Sequence, residues 1–253
     1  MLSYDELPKR RIVSSPFPKK ELVSYGIVAI ATENDKKWFA MIQPQFTPSM
    51  KFLIHGAYRP VHLNELLENL TISEITKIQK IVTDKDHNEF SRLFTEITGL
   101  KIRDNGWYGY YRLLDISKEI INYNPQNNLR EPTFSFPKGK AYPKEDHLTA
   151  ALREFQEEMG FKIKFGINTT PIDYFETGIA DRSYKMRCWK CNFNKKYDIE
   201  KYNIKQDREI AKRFWIDPSG TSSVEKYPMV KTSDNSKVYI TSELMNFIND
   251  NLL

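Results

Sequence analysis

Residues 139–161 read GKAYPKEDHLTAALREFQEEMGF, and this stretch decides the reading of the chain. Gly139 is followed after five residues by Glu145, and after seven more by Arg153-Glu154-Phe155-Gln156-Glu157-Glu158-Met159-Gly160-Phe161. On a helix with Glu154 set at 0°, Glu158 falls near 40° and Glu157 near −60°, so three carboxylates share one face. Leu148, Ala151, Leu152, Phe155 and Met159 fall between about 60° and 160°, a separate apolar stripe suited to packing on a sheet. Arg153 stands four residues before Glu157 and can pair with it. Gly160 suits the left-handed position that ends a helix.

Like charges gathered on one face destabilise a protein unless a cation neutralises them. Hard divalent ions take oxygen ligands, and Mg²⁺ in particular is held by a few carboxylates together with substrate phosphate oxygens. The bland counterpart is a solvated acidic helix face. The fixed Gly-Glu-Arg frame around the carboxylates argues against it.

At every defining position the stretch resembles the Nudix box, with Phe155 and Phe161 in its two hydrophobic slots. The resemblance implies an α/β fold, the Nudix α/β/α sandwich with a mixed sheet between helices. It implies Glu154, Glu157 and Glu158 as ligands of Mg²⁺ or Mn²⁺, with the Gly139 carbonyl as a further one. Glu145 and Arg153 are then supporting members of the catalytic set. The preceding run Phe134-Ser135-Phe136-Pro137-Lys138-Gly139-Lys140 resembles the strand-to-loop approach of decapping and diphosphoinositol-phosphate Nudix enzymes. Lys138 and Lys140 there either meet phosphate as mobile point charges or merely keep a loop soluble.

Outside the box, a buried strand is expected over Leu22–Ala31, with a hairpin partner over Trp38–Gln43 across Glu33-Asn34-Asp35. Almost a hundred residues then separate this hairpin from the box, and they read as helical. Thr71-Ile72-Ser73-Glu74 matches a capping box, followed at helical spacing by Ile75, Ile78, Ile81 and Val82. Asp86–Glu89 gives a second start, with Phe90, Leu93, Phe94 and Ile97 in one stripe closed by Gly99. A shorter helix is expected over His62–Leu70. The organisation is therefore a basic segment 1–21, a first part of the Nudix domain 22–48, an all-helical insertion 49–127, and the main part 128–253. Later strands are expected over Thr170–Ile179, Ser183–Phe193 and Lys212–Ile216, with a closing helix over Ser242–Leu252.

Composition describes an ordinary globular chain: 40% hydrophobic and 28% charged residues over 253 positions. No apolar run is long enough for a membrane span, and Met1–Lys20 lacks an apolar signal core, so a membrane partner and secretion are not expected. The two cysteines, Cys188 and Cys191, lack the further ligands a zinc site needs; strand alternation puts their thiols on opposite faces, which fits a reducing compartment. The net charge of +5 permits RNA binding without demanding it, because residues 49–128 hold ten basic and ten acidic groups. Lys77, Lys80 and Lys85 avoid the apolar stripe and serve either RNA or solubility.

The chain also resembles the mRNA-decapping Nudix enzymes of large DNA viruses, African swine fever virus and the poxviruses among them. Phe52-Leu53-Ile54-His55-Gly56-Ala57-Tyr58 with Asn69–Glu74, the box itself, and Arg208-Glu209-Ile210 with Phe214-Trp215-Ile216-Asp217 carry the likeness. It implies capped mRNA as partner, cytoplasmic action in a host cell, and cleavage to 7-methylguanosine diphosphate and 5′-monophosphate RNA. Glu209 is then a further catalytic carboxylate, with Asp207 as its substitute. Methylated guanine is held by aromatic stacking; the candidates are Tyr58, Trp107, Tyr108, Tyr110 and Tyr111 in the insertion and Tyr174 and Phe175 after the box. Asn105-Gly106-Trp107-Tyr108-Gly109 has loop glycines beside aromatics, so a cleft between the two domains is expected. Hydrolysis of diphosphoinositol or dinucleoside polyphosphates is the rival reading, and an inactive RNA-binding module a remoter one. A homodimer stays open.

Overall fold

The computed structural model describes residues 22–102, 107–163, 166–177, 183–196, 209–221 and 224–253. The basic segment 1–21, and with it Asn105, Gly106, Asp207 and Arg208, lies outside them. The first hairpin is β1 (Leu22–Glu33) and β2 (Lys36–Pro44). Glu33 pairs with Lys36, so Asn34 and Asp35 alone make the turn, with φ of 52° and 56°. Two consecutive left-handed residues give the primed turn whose twist matches the flanking strands.

Between β2 and β3 (Lys138–Gly139) stand α1 (Pro48–Ile54), α2 (Leu63–Glu68), α3 (Ile72–Asp84), α4 (His87–Thr98), α5 (Trp107–Asp115) and α6 (Ser117–Asn122). The capping box is formed: Thr71 accepts from the Glu74 backbone, and Glu74 accepts from the Thr71 N–H at 2.8 Å. Glu74 also accepts from the Thr47 N–H (2.7 Å) and hydroxyl (2.9 Å). One buried carboxylate therefore fastens the starts of α1 and α3 together. The insertion has its own core, in which Met50, Leu53, Ile54, Leu66, Ile75, Ile78, Phe90, Leu93, Tyr110 and Leu113 pack as one cluster. On the way back to the sheet, Asn128 donates to the carbonyls of Leu67 (2.7 Å) and Leu70 (2.8 Å), closing the insertion on itself.

After β3 come α7 (His147–Met159), β4 (Ile172–Thr177), β5 (Ser183–Phe193), β6 (Ile210–Asp217), β7 (Met229–Thr232), β8 (Lys237–Tyr239) and α8 (Ser242–Asn251). The eight strands form one mixed sheet in the order β4-β5-β1-β2-β6-β7-β8, with β3 also on β1. Among the described strands β1 and β5 pair in parallel and the other pairs are antiparallel. Strand alternation sends Val28 and Ile30 to the face covered by Leu244, Phe247 and Ile248 of α8, and Ile27, Ala29 and Ala31 to the face covered by α7. Cys188 and Cys191 divide between these two faces and form no disulfide, and burial pushes their thiols up to about 12 and about 11. Among the described residues no helix is long and apolar enough to cross a membrane.

The apolar side of α7 is Ala151, Phe155 and Met159, fully buried against β1 and β2. Burial of Phe155 and of Met159 contributes about 1.5–3 kcal/mol each. That anchors the helix independently of its carboxylates. Gly160 ends the helix at φ 85°.

Candidate active site

The site is assembled where β3 crosses β1 and meets α7. Gly26 of β1 pairs with Lys138, and Tyr25 with Gly139. A Cβ on Gly26 would strike the Pro137 carbonyl and the Met186 side chain, so only glycine lets β3 and β5 close on β1 here. On the other side of β3, a Cβ at Gly139 would fall on the Glu154 carboxylate, the far end of a side chain that would have to move. The backbone of β3 thus rests directly on the acidic helix.

Arg153 organises the charges. Its Nε and Nη2 donate to the two oxygens of Glu145 at 2.9 and 3.0 Å, a bidentate fork. Its Nη1 donates to Glu154 (2.7 Å) and Glu157 (3.1 Å), and Nη2 also reaches the Lys140 carbonyl at 2.9 Å. Tyr142 lies on the guanidinium face, 4.1 Å from ring centroid to Cζ. The Glu145 hydrogen bond holds the Arg153 proton more firmly than in an ordinary arginine, and reciprocally holds the Glu145 carboxyl below its usual range. Burial pushes the Glu154 carboxyl up, and the charges of Glu157 and Glu209 push the same way against Arg153. Glu209, just before β6, therefore stands within electrostatic reach of the box; its carbonyl accepts from the Gln45 N–H at 2.8 Å.

Glu158 departs from the shared acidic face expected of the helix. Its Oε2 accepts from the Lys138 N–H at 2.8 Å, tying β3 to α7, while its backbone carbonyl accepts from Arg213. Among the described residues no three His, Cys, Asp or Glu side chains stand close enough together to hold a metal ion. The cause is this division of labour: Glu154 and Glu157 gather on Arg153, and Glu158 turns to β3.

Beside β3 opens a cleft of about 390 Å³. Lys138, Gly139 and Lys140 form one side, and Tyr174, Glu176, Tyr184 and Met186 of β4 and β5 form another. Phe52, from α1 of the insertion, closes it. The Lys138 ammonium lies 3.4 Å from Glu176. Of the aromatic candidates for base stacking, Tyr174 borders this cleft, whereas Tyr58, Trp107 and Tyr108 do not. The hydroxyl of Tyr58 donates to the Arg112 carbonyl at 3.0 Å, under the Arg112 guanidinium, inside the insertion. Trp107 packs on His87, Phe90 and Tyr110 in the insertion core. Tyr108 is half-exposed beside Gly56. The cleft lies between α1 of the insertion and the sheet; of the glycine-aromatic run, Trp107, Tyr108 and Gly109 do not line it, and Asn105 and Gly106 are outside the described residues.

Phe52, Glu176 and Tyr184 escaped the sequence reading. A signal existed for Glu176: it follows Tyr174 by two residues in an alternating strand, so a charge shares the face of a buried aromatic.

The NUDIX domain family model matches residues 122–231, which span the box and the strands β3–β7. Among solved structures, the chain is similar to an Ap4A hydrolase of C. elegans in a binary complex, at 12% identity over 78% of this chain and 80% of that one, with a TM-score of 0.35. It is similar to the NUDIX domain of Shewanella oneidensis NrtR complexed with ADP ribose, at 8% identity over 77% and 71%, TM-score 0.35. A MutT/nudix family protein from Enterococcus faecalis is similar at 8% identity over 92% of this chain and 61% of that one, TM-score 0.42. No curated protein matches the chain.

Nudix hydrolases use a divalent metal such as Mg²⁺ or Mn²⁺. Two of the box carboxylates, rather than three, stand together where such an ion would be held. Glu154 and Glu157 are hard oxygen donors that already converge on one cationic point, Nη1 of Arg153, and the Glu154 carboxylate lies directly against Gly139.

Proposed function

We propose that this Nudix domain is a metal-dependent pyrophosphohydrolase whose substrate is the 5′ cap of mRNA, yielding 7-methylguanosine diphosphate and 5′-monophosphate RNA. The convergence of Glu154 and Glu157 on Arg153, held in turn by Glu145, carries the hydrolase reading. Mg²⁺ or Mn²⁺ held by Glu154 and Glu157, with Glu158 and the Gly139 carbonyl as further ligands, would polarise the phosphoryl group and lower the pKa of the attacking water. Arg153 orients the carboxylates through its fork. Lys140, next to Gly139, places a positive charge where substrate phosphate would lie. Glu209, just before β6 and within electrostatic reach of Glu154, would serve as the acceptor of the water proton. Water attack forms one P–O bond and breaks the anhydride P–O bond, with the proton passing to Glu209.

Support for capped RNA comes from Phe52, through which the insertion reaches the cleft. The same insertion would grip the RNA body, and the site of action would be the host cytoplasm. A second reading, hydrolysis of small dinucleoside or diphosphoinositol polyphosphates, draws on the balanced charge of residues 49–128, ten basic against ten acidic. RNA radiolabelled in its cap, incubated with the protein and Mn²⁺, tests the proposal by chromatography of the released nucleotide. Release of 7-methylguanosine diphosphate is expected. Cleavage of diadenosine or diphosphoinositol polyphosphates without release from RNA would move the function to small molecules.

A further inference from the structure

We propose that Gln45 is a positioning residue for Glu209, joining the backbone at that carboxylate to α4 of the insertion through Glu96. The inference rests on the hydrolase reading above, in which Glu209 takes the water proton, and adds the group that holds it in place. Gln45 stands where the chain leaves the sheet. Ile42 before it packs in the core between the sheet and α7, and Phe46 after it packs in the core of the insertion. Thr47, two residues on, is fastened to Glu74 of α3.

The register of β2 against β6 brings Gln45 and Glu209 together. Gln43 pairs with Lys212, but Pro44 pairs with Ile210, which leaves Ala211 as the extra residue of a β-bulge. In an unbroken ladder Gln45 would meet Ile210. The bulge advances it to Glu209, whose carbonyl accepts from the Gln45 N–H at 2.8 Å. Pro44 has no N–H, so the Gln45 N–H is the donor available at this end of the pair.

The Gln45 side chain reaches the insertion. Its Nε2 donates to Oε1 of Glu96 at 3.1 Å. Oε2 of the same carboxylate is buried and has no hydrogen-bond partner among the described residues, so losing Gln45 would cost more than the bond itself contributes. Glu96 is carried by α4, whose Leu93 and Ile97 pack in the insertion core. One residue therefore links α4 to the backbone of the proton acceptor. A misplacement of about 1 Å at a reacting group costs on the order of 100-fold in rate, so this link acts on turnover and leaves substrate affinity alone.

Exchanging the two partners in the full chain tests the assignment, with kcat and KM measured on cap-labelled RNA, or on diadenosine polyphosphate if the RNA is left intact. Gln45→Glu sets two carboxylates against each other and should lower kcat by about tenfold, with KM changed by less than about twofold. Gln45→Glu combined with Glu96→Gln restores an amide–carboxylate bond with its ends exchanged and should bring kcat back to within about threefold. In a Glu209→Gln background, Gln45→Glu should cost less than about twofold more, because the group it positions is already gone. Independently of turnover, protection of the Gln45 amide against hydrogen exchange should fall about tenfold in Glu96→Ala. A full rate in Gln45→Glu, no recovery in the exchanged pair, an equal loss in the Glu209→Gln background, or unchanged protection in Glu96→Ala would overturn the inference. Glu209→Gln at the full rate would remove the proton-acceptor role and the inference with it, and an unsubstituted chain that cleaves neither substrate would sink the hydrolase reading beneath both.

Discussion

Arg153 donates to both carboxylate oxygens of Glu145, at 2.9 and 3.0 Å, across eight residues of sequence. The fork fixes the guanidinium plane, and the remaining nitrogen then faces Glu154 and Glu157 together. Arg153→Lys should lower turnover by about 10- to 100-fold, the usual effect of removing a group that orients metal ligands. An ammonium cannot hold Glu145 at two points and Glu154 and Glu157 at a third. Steady-state kinetics at saturating Mn²⁺ would check it; an unchanged rate would mean that the carboxylates orient themselves.

Gly139→Ala tests the close approach of β3 to α7. The added methyl would meet the Glu154 carboxylate, so Glu154 must move while the sheet and the buried face of α7 stay in place. The expected result is a large loss of turnover with a melting temperature lowered by only a few degrees, about 1 kcal/mol. A variant equally stable and equally active would show that Glu154 has no fixed position.

Glu74 holds α1 to α3 by accepting from two backbone N–H groups and a hydroxyl. Glu74→Ala strands the N–H groups of Thr47 and Thr71 in a buried place and should cost on the order of 2–4 kcal/mol. Urea unfolding followed by tryptophan fluorescence would measure it. A loss below about 0.5 kcal/mol would mean that water replaces the carboxylate.

The Thr71–Glu74 half of this arrangement was legible, because a capping box is local. The Thr47 half was not, since 27 residues separate the partners and nothing in a linear pattern brings them together. The box shows the same division. Its helix, its apolar stripe and the Arg153–Glu157 pair follow from spacing along one helix. The turn of Glu158 toward Lys138 follows from where β3 crosses, which helical angles do not contain. Strand alternation placed Cys188 and Cys191 on opposite faces, but β7 and β8, of four and three residues, were too short to show a period. Tyr58 and Trp107 were visible as aromatics; that the insertion consumes them in its own core is a property of helix packing.

Asp173 gives a dependence on pH away from the site. It accepts from Arg187 at 2.8 and 3.0 Å and pairs with Lys185 at 2.7 Å. The Arg187 hydrogen bonds, aided by Lys185, hold its carboxyl at about 2 against an ordinary 3.8. A depressed carboxylate stabilises the fold above its unfolded value and loses that contribution as pH falls through the folded one. The melting temperature of Asp173→Asn should therefore lie below that of the unsubstituted chain near neutral pH, and the gap should close between about pH 4 and pH 2. A gap that stays constant down to pH 2 would assign the effect to something other than this charge.

Mn²⁺ binding followed by electron paramagnetic resonance, with turnover of cap-labelled RNA recorded on the same samples, tests the central claim most directly. The account predicts that the unsubstituted chain binds Mn²⁺ and cleaves, and that Glu157→Gln loses both while its circular dichroism and melting temperature are retained. Cleavage that persists in Glu157→Gln, or that proceeds without any divalent cation, would contradict it.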